Sequence, residues 1–336
     1  MKRPTVLIIG CGSIGQRHLR CFLKTDRVSV VACDSDEAVL ADIKERYQVS
    51  TATDWQGAVK GDCFAAVIAT PAHLHVAMAR ETLRYGRHVL IEKPLSQSTE
   101  GLAELLRASA ASDRQSAVAY VYHVFPFLEQ AGAYLANGEL GPVKQAVVTS
   151  GSPFHLLRPS YAQSYYRDHA TGGGAVQDGM THIANWVESV LGPTDTVLCD
   201  SAHQALPDVE VEDTVHLMAR HADVLVSYAF NQFQAPQENS IQFNATRGSV
   251  RIELHRQRWG VFRAGEKEWT WHPGTSAQRD DHFTNQAHAF LDQIEGKPPR
   301  LCSLPAAEQT LRFNLAALAS AQLGRCISCR TLEQVG

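Results

Sequence analysis

The chain has 336 residues, of which 44% are hydrophobic and 20% are charged, and its formal net charge is −4. This composition is typical of a globular protein, and the length suggests about two domains. A slightly acidic chain without a long basic run is not expected to bind nucleic acid or an anionic membrane as its main partner. No apolar run reaches the roughly 18 residues that indicate a transmembrane helix.

The amino-terminal segment MKRPTVLIIGCG combines two basic residues with a short apolar run. The run is too short for a signal peptide and ends in a glycine-rich turn, so we interpret it as a first β-strand and expect a cytoplasmic protein. Eight cysteines are scattered along the chain, which argues against a disulfide framework. Cys326 and Cys329 form a lone C-x-x-C pair, a weak metal or redox signal, and we predict no metal site.

A glycine-rich junction follows the run TVLIIG, which has the continuous apolar character of a buried parallel strand. The junction carries Gly10, Gly12 and Gly15, the G-x-G-x-x-G pattern found between strand and helix in dinucleotide-binding folds. There the first glycine permits a tight turn, the second admits a pyrophosphate and the third lets the helix pack on the strand. The amides at the helix start, including those of Ser13 and Ile14, are expected to face the phosphates.

The next predicted strand ends at Asp34, which lies 24 residues after Gly10. This spacing is near the roughly 20 residues expected for the acid that binds the adenosine ribose. A carboxylate there accepts hydrogen bonds from the 2′-hydroxyl and repels a 2′-phosphate, and the following Ser35, Asp36 and Glu37 include no basic residue. The sequence therefore predicts NAD as cofactor, with NADP less favoured. The alternative is that Asp34 only caps a turn.

Strands and helices alternate through the first third, with strands predicted at 5–10, 28–34, 63–70, 88–95 and 116–126. This alternation predicts an α/β fold with a doubly wound parallel sheet, in which ligands bind beyond the carboxyl ends of the strands. Lys93 stands at one such end, between an apolar strand and a proline. It is either a solvated surface charge or, beside bound nicotinamide, a cation able to lower the pKa of a substrate hydroxyl.

After about residue 124 strand-like segments dominate, and many alternate apolar and polar residues as in a one-faced antiparallel sheet. We therefore predict a dinucleotide-binding domain at 1–123 and an α+β domain at 124–336. The segments are 144–152, 195–206, 213–233, 239–254 and 258–273, followed by helices at 283–297 and 305–324.

The segment GGGAVQDGMTHIAN (172–185) places an acid and an imidazole after three glycines. Asp178 and His182 are four residues apart, so on a helix their side chains lie about 5–6 Å apart on one face, and Asn185 continues the stripe. Such a face can bind hydroxyl groups, and a histidine pKa near 6.5 suits proton transfer near neutral pH. The alternative is an acid that balances the helix dipole and a structural histidine.

Five motifs carry a family resemblance. They are GCGSIG (10–15), ATPAHLH (69–75), HVLIEKP (88–94), GGGAVQDGMTH (172–182) and ATRGSVRIE (245–253). In these motifs the chain resembles the glucose–fructose oxidoreductase/inositol dehydrogenase (Gfo/Idh/MocA) family. The resemblance implies a Rossmann domain followed by a domain with an open, mostly antiparallel sheet, and a cis peptide before the proline of EKP. It also implies NAD(P)-dependent oxidation or reduction of one carbon of a sugar, inositol or related polyol, and a homodimer or homotetramer formed through the sheet.

By motif position, the resemblance implies that Lys93 is the catalytic lysine, Asp178 the substrate-binding acid and His182 the proton-transferring histidine. It places cofactor-side residues at Thr70, Pro71, His75 and Glu92, and we further expect Lys93 and Tyr120 to lie near the nicotinamide of the bound cofactor. Further substrate candidates lie near the domain junction or before the glycines. They are Tyr122, His123, His155, Arg158, Tyr165, Tyr166 and Arg167, each of which has a structural alternative.

The chain departs from the family pattern at three places. Asn185 stands where the family often has an acid, and Tyr122-His123-Val124 where it often has an arginine. Gly179 follows the acid by one residue rather than two. Two other functions stay open: a redox-neutral enzyme that oxidises its substrate transiently for epimerisation, elimination or glycoside cleavage, and a non-enzymatic NAD(H)-sensing regulator. The second would not need Lys93, Asp178 and His182 together.

Overall fold

The computed structural model describes residues 3–331, so both ends of the predicted domain ranges, at 1–2 and 332–336, lie outside the described residues. The chain forms two compact units, Met1–Val124 with Ala277–Glu308, and Phe125–Ser276 with Gln309–Gly336. The first break is one residue from the predicted domain boundary. The units differ from the prediction because the first one also includes 277–308, which the sequence reading assigned to the second domain.

The first unit contains a six-stranded parallel sheet. Its strands are β1 (Thr5–Ile9), β2 (Ser29–Cys33), β3 (Ser50–Ala52), β4 (Ala65–Ile68), β5 (His88–Ile91) and β6 (Ser116–Val118). Its helices are α1 (Ser13–Lys24), α2 (Glu37–Tyr47), α3 (Trp55–Lys60), α4 (His75–Arg84), α5 (Leu102–Ala110) and α9 (Arg279–Ile294). The strand order β3-β2-β1-β4-β5-β6 is that of a doubly wound dinucleotide-binding fold, which confirms the predicted fold class.

Local sequence accounts for these elements. The strands β4 and β5 are buried along their whole length, as their continuous apolar runs predict. Asp36 and Asp54 cap α2 and α3 because their carboxylates accept the free amide N–H groups of each first turn. The sequence patterns do not predict β3, because this edge strand has three residues and its side chains are exposed or half-buried.

Helix α9 belongs to the first unit because it packs along α1. The carboxylate of Asp280 contacts Arg17 Nε at 3.0 Å and Arg20 Nη2 at 2.9 Å. The rings of Phe22 and Phe290 meet edge to face, with centroids 6.4 Å apart. The Arg20 guanidinium is the main reason that the pKa of Asp280 falls from 3.8 to about 2. These contacts join segments more than 250 residues apart, which chain-local patterns do not reveal.

The second unit contains a nine-stranded open sheet in the order β14-β13-β12-β11-β7-β10-β9-β8-β15. Its strands are β7 (Val143–Gly151), β8 (Thr196–Ala202), β9 (Thr214–His221), β10 (Val224–Asn231), β11 (Glu238–Ala245), β12 (Gly248–Glu253), β13 (Arg258–Arg263), β14 (Thr270–Pro273) and β15 (Ile327–Ser328). All pairs are antiparallel except β7 with β10. The predicted mostly antiparallel sheet is therefore confirmed.

Buried and exposed side chains alternate along β9, as expected for a sheet with one covered face. The other helices are α6 (Pro126–Ala136), α7 (Phe154–Leu157), α8 (Thr181–Leu191) and α10 (Leu304–Leu323), and α10 crosses the boundary between residues 308 and 309. Across residues 3–331, every helix is too short or too polar to serve as a membrane span.

Candidate active site

The three glycines after β1 have different surroundings. Gly10 has φ +87°, and a Cβ there would lie 2.7 Å from Ala69 O, so the position requires glycine. A Cβ on Gly15 would lie 1.8 Å from Gly10 O, which explains the close contact between α1 and the strand. A Cβ on Gly12 would meet no atom within 4 Å. The protein therefore leaves the space over Gly12 open, as a bound pyrophosphate requires.

Asp34 is held against this loop. Its Oδ2 accepts the Cys11 N–H at 2.6 Å and its Oδ1 accepts the Asp36 N–H at 3.0 Å. A carboxylate has about four acceptor positions, so two hydrogen bonds leave capacity for ribose hydroxyls. The first turn of α1, which includes Ser13 and Ile14, contains no acidic residue. These features fit a dinucleotide whose phosphates lie at the helix start.

His75 ties together two loops that follow neighbouring strands. Its ring is buried, with Nε2 2.8 Å from Thr70 O and Nδ1 3.0 Å from Pro94 O. Burial lowers the pKa of His75, and a neutral imidazole donates from only one nitrogen at a time. The Lys93–Pro94 peptide is cis, as the resemblance implies. The neutral ring can therefore donate either to Thr70 O or to Pro94 O, and it lies between the loop that holds Thr70 and the EKP turn.

Glu92 pairs with a residue that the sequence reading missed. Its Oε1 lies 2.5 Å from Nε2 of the buried His18 on α1, and its Oε2 accepts the Lys93 N–H at 3.0 Å. Burial raises the pKa of Glu92, but its bond with His18 and the charge of Lys93 outweigh this effect and lower it overall. In the sequence, His18 is marked only by its position on the helix that follows the glycine loop.

The residues after β6 lie at the carboxyl edge of the parallel sheet, as do the residues after β5. Tyr120 is fully buried, whereas Tyr122, His123 and Lys93 are half-buried. Burial raises the pKa of Tyr122 to about 12, so its phenol is neutral near neutral pH.

In the second unit, Asp178 lies on a π-helical turn, Val176–Met180, that leads directly into α8. The turn is closed by a hydrogen bond from Thr181 N–H to Val176 O, and π turns of this kind are frequent at functional sites. His182 is the second residue of α8 and is half-buried. The predicted stripe therefore starts on a wider turn than a regular α-helix, which residue spacing does not reveal.

A polar cluster surrounds Asp178. Tyr165 Oη donates to Asp178 Oδ1 at 2.6 Å, and Arg158 Nη1 donates to Tyr165 Oη at 3.1 Å. The same Arg158 nitrogen lies 3.8 Å from Asp178 Oδ1. Asp178 is only 4% exposed, whereas Tyr165 is 40% exposed. The structure thus brings Tyr165 and Arg158 together with the predicted substrate-binding acid.

The other candidates of this unit form further contacts or lie on exposed segments. The buried Asn185 donates from Nδ2 to Thr310 Oγ1 at 2.9 Å, and Tyr166 Oη donates to Gln232 Oε1. His155 is exposed on α7. The exposed Arg167 lines a pocket of about 710 Å³. The pocket's other lining residues are Asp168, His169, Asp208, Val209, Glu210 and Val211.

Two family models match this chain. A model described as an oxidoreductase family with an NAD-binding Rossmann fold matches residues 5–120, and a GFO/IDH/MocA C-terminal domain model matches residues 128–251. The chain belongs to the Gfo/Idh/MocA family. Its amino-terminal part is the NAD-binding Rossmann domain of that family, which confirms the predicted cofactor.

The named relatives of this chain include sugar and polyol dehydrogenases. Levoglucosan dehydrogenase of Pseudarthrobacter phenanthrenivorans is 24% identical over 59% of this chain and 53% of its own length. Inositol 2-dehydrogenase of Burkholderia vietnamiensis is 24% identical over 70% of this chain and 72% of its own. The first relatives are matched over about a third to a half of their length, at 36%, 53% and 35%.

Solved structures share the complete fold. The structure titled levoglucosan dehydrogenase, complex with NADH and levoglucosan, superposes with a TM-score of 0.86 at 19% identity, covering 98% of this chain and 100% of that one.

No group of three or more His, Cys, Asp or Glu side chains in residues 3–331 has an arrangement able to hold a metal ion. Cys326 is exposed, and burial raises the pKa of Cys329.

Proposed function

We propose that this protein is an NAD-dependent dehydrogenase that oxidises or reduces one carbon of a sugar, inositol or related polyol. The observation that carries the proposal is the cluster of Tyr165 and Arg158 around Asp178, which lies on the turn that leads to His182. A buried, ordered carboxylate can accept hydrogen bonds from substrate hydroxyls, and a neighbouring imidazole can move a proton. Family membership and the dehydrogenase names of the relatives support the same chemistry.

The chain's own residues would divide the work as follows. Gly12, the start of α1 and Asp34 bind the dinucleotide. NAD held by these residues would supply the acceptor for the hydride of the carbinol carbon. His182 takes the hydroxyl proton in oxidation and returns it in reduction, and the Lys93 ammonium stabilises the developing alkoxide. Asp178 orients the substrate, or His182, by hydrogen bonding.

The remaining candidates extend this proposal. Arg158 and Tyr165 fix Asp178, and Tyr165 has enough exposed surface to contact substrate. Lys93 acts from the EKP turn. Two contacts order this turn: the His75 ring lies against Pro94 O, and Glu92 Oε2 accepts the Lys93 N–H. Further contacts with cofactor or substrate are assigned to Ser13, Ile14, Thr70, Pro71, Tyr120, Tyr122, His123, His155, Arg167 and Asn185. For Asn185 the bond to Thr310 also supports a structural role.

A substrate panel tests the proposal. The purified protein is mixed with NAD or NADP and with levoglucosan, inositol, D-xylose and other sugars and polyols, and NADH absorbance is followed. NADH formation with a polyol, faster than NADPH formation, supports the proposal. Conversion of a sugar without net NADH formation would identify the redox-neutral alternative, and NAD binding without any conversion would favour the regulator.

We also propose that the protein assembles through its open sheet and works in the cytoplasm. Leu198, Met218 and Leu225 are exposed apolar residues of β8, β9 and β10, and Met218 lies beside Leu198 in the register. Such a patch is typical of a protein–protein interface. The eight free cysteines suit a reducing compartment. Light scattering that finds a dimer or tetramer, and a monomer for Met218→Glu, would support the assembly; a monomeric unaltered protein would refute it.

A further inference from the structure

Glu212 is a buried acid outside the residues that sequence patterns identify. It lies two residues before β9 and is 5% exposed. A buried carboxylate is costly unless it is hydrogen-bonded or paired, so its partners indicate what it does for the fold. Within the described residues, its hydrogen bonds go to the segment 169–176, which includes the three glycines and the first residue of the turn that carries Asp178.

Glu212 binds two consecutive amides at the start of that turn. Its backbone carbonyl accepts the Ala175 N–H at 2.9 Å, and its Oε1 accepts the Val176 N–H at 2.9 Å. The first amides of a helix have no partner within the helix, and a negative charge there is also favoured by the helix dipole. One residue, 36 positions away in the chain from Val176, therefore fixes where this helical segment begins.

The glycines make room for this contact. Gly174 has φ +89°, and a Cβ there would lie 2.5 Å from the Glu212 carboxylate. A Cβ on Gly173 would lie 2.0 Å from Tyr166 O. Gly173 and Gly174 are therefore packed tightly against Tyr166 and Glu212, so this glycine segment is not only a flexible loop. It lets the carboxylate reach the amides of the helix start.

The second carboxylate oxygen, Oε2, pairs with Nε2 of His169. The hydrogen bond to Glu212 raises the pKa of His169. The carbonyl of His169 in turn accepts a hydrogen bond of 3.2 Å from Gln177 Nε2. Through His169, Glu212 therefore also holds the segment 165–174. This segment begins at Tyr165, whose hydroxyl binds Asp178, and ends with the three glycines.

We propose that Glu212 is a positioning residue: by binding the Ala175 and Val176 amides and pairing with His169, it holds Asp178 and His182 in their working geometry. This inference rests on the proposed roles of Asp178 and His182, but not on the identity of the substrate. Glu212 does not need to touch substrate or cofactor for this role.

Hydrogen exchange tests the contact without any substrate. Amide exchange is measured by mass spectrometry in peptides covering 174–182, for the unaltered protein, Glu212→Ala and Glu210→Ala. Glu210 is an exposed acid two residues away and serves as the matched control. We expect exchange of the 174–182 amides to accelerate at least about tenfold in Glu212→Ala and to stay unchanged in Glu210→Ala. Unchanged exchange in Glu212→Ala would overturn the proposal.

The variant Glu212→Gln keeps an acceptor for the Val176 amide and removes the charge, so it remains informative if Glu212→Ala does not fold. We expect the exchange rates of the 174–182 amides in Glu212→Gln to lie between those of the unaltered protein and those of Glu212→Ala. The His169 ring, followed by NMR titration, should titrate at a lower pH in Glu212→Gln than in the unaltered protein. An unchanged titration midpoint would show that the pair does not form.

Kinetics separates positioning from general stability. With the polyol turned over fastest in the panel, kcat should fall at least about tenfold in Glu212→Ala and recover in part in Glu212→Gln. The dissociation constant for NADH, from fluorescence titration, should change less than about twofold. Faster exchange with unchanged kcat would overturn the positioning role. If the unaltered protein turns over no polyol, the proposed function fails, and exchange and titration still decide whether Glu212 holds the turn.

Discussion

The phenolic hydroxyl of Tyr165 donates a 2.6 Å hydrogen bond to Oδ1 of the buried Asp178. Arg158 approaches both groups, at 3.1 Å from the hydroxyl and 3.8 Å from the carboxylate oxygen. The acid is thereby fixed in one orientation beside the turn into α8. If Asp178 orients substrate or His182, this orientation should matter for turnover.

Replacing Tyr165 by phenylalanine removes the donor and keeps the ring. A hydrogen bond to a charged group contributes about 1.5–3 kcal/mol, so we expect kcat/KM for the polyol to fall about 10- to 100-fold. Affinity for NADH should stay within about twofold, because the cofactor loop belongs to the other unit. Tyr134→Phe is the control, because its hydroxyl accepts a bond from Arg263 instead. Equal kcat/KM in Tyr165→Phe and the unaltered protein would show that the bond is not used.

Gly12 and Gly15 should respond oppositely to alanine. The added Cβ of Gly12→Ala meets no protein atom, so the thermal unfolding midpoint should be unchanged or slightly raised, while NADH binding weakens at least about tenfold. The added Cβ of Gly15→Ala would lie 1.8 Å from Gly10 O, so this variant should be strongly destabilised. Calorimetry and NADH titration measure both effects. Normal NADH affinity in Gly12→Ala would argue against a pyrophosphate at this loop.

Asp34 should determine the choice of cofactor. Asp34→Ala removes the proposed ribose acceptor and the charge that repels a 2′-phosphate, so NADH should bind more weakly and the preference over NADPH should shrink. Asp54→Ala is the matched control, since Asp54 caps α3 and its loss should reduce stability by about 1 kcal/mol without altering cofactor preference. Titration with both nucleotides gives the ratio. An unaltered ratio in Asp34→Ala would remove its ribose role.

Asp280 predicts a pH-dependent contribution to stability. Its pKa is lowered from 3.8 to about 2, chiefly by Arg20. The bond therefore stabilises the fold fully above about pH 4, and this stabilisation is lost as the pH falls toward 2. Because the side chain is 36% exposed, we expect the contribution to be about 1 kcal/mol rather than the full value implied by the shift.

Urea unfolding of Asp280→Asn measures this contribution. The variant should be less stable than the unaltered protein at pH 7, and the difference should shrink as the pH is lowered toward 3. Asp42→Asn is the control, because Asp42 forms an exposed pair with Arg46 on one helix. A difference that stays constant down to pH 3 would contradict the assignment.

The sequence predicted the parallel sheet because its strands are continuous apolar runs and its glycine turn has a local signature. It also predicted an NAD-binding Rossmann domain from the spacing of Gly10, Gly12 and Asp34, whose individual roles stay predictions. What it could not predict depends on contacts between distant segments. The pair of His18 with Glu92, the return of α9 to α1 through Asp280, and the contact of Glu212 with Val176 all join such segments.

The same reason explains Asn185. Its spacing from Asp178 and His182 predicts a common face, which stays a prediction. The turn is π-helical at Asp178, and the Asn185 amide also donates to Thr310 on α10. A hydroxyl on a helix more than 100 residues away leaves no trace in the local pattern.

In the proposed mechanism, His182 moves the proton during hydride transfer. The most direct measurement is the kcat of His182→Ala on the polyol that gives NADH, together with its NADH dissociation constant. A general base contributes about 10²–10⁴-fold, so we predict a fall in kcat of that size with NADH affinity unchanged. A His182→Ala protein that forms NADH at the unaltered rate would exclude His182 as the proton-transferring residue.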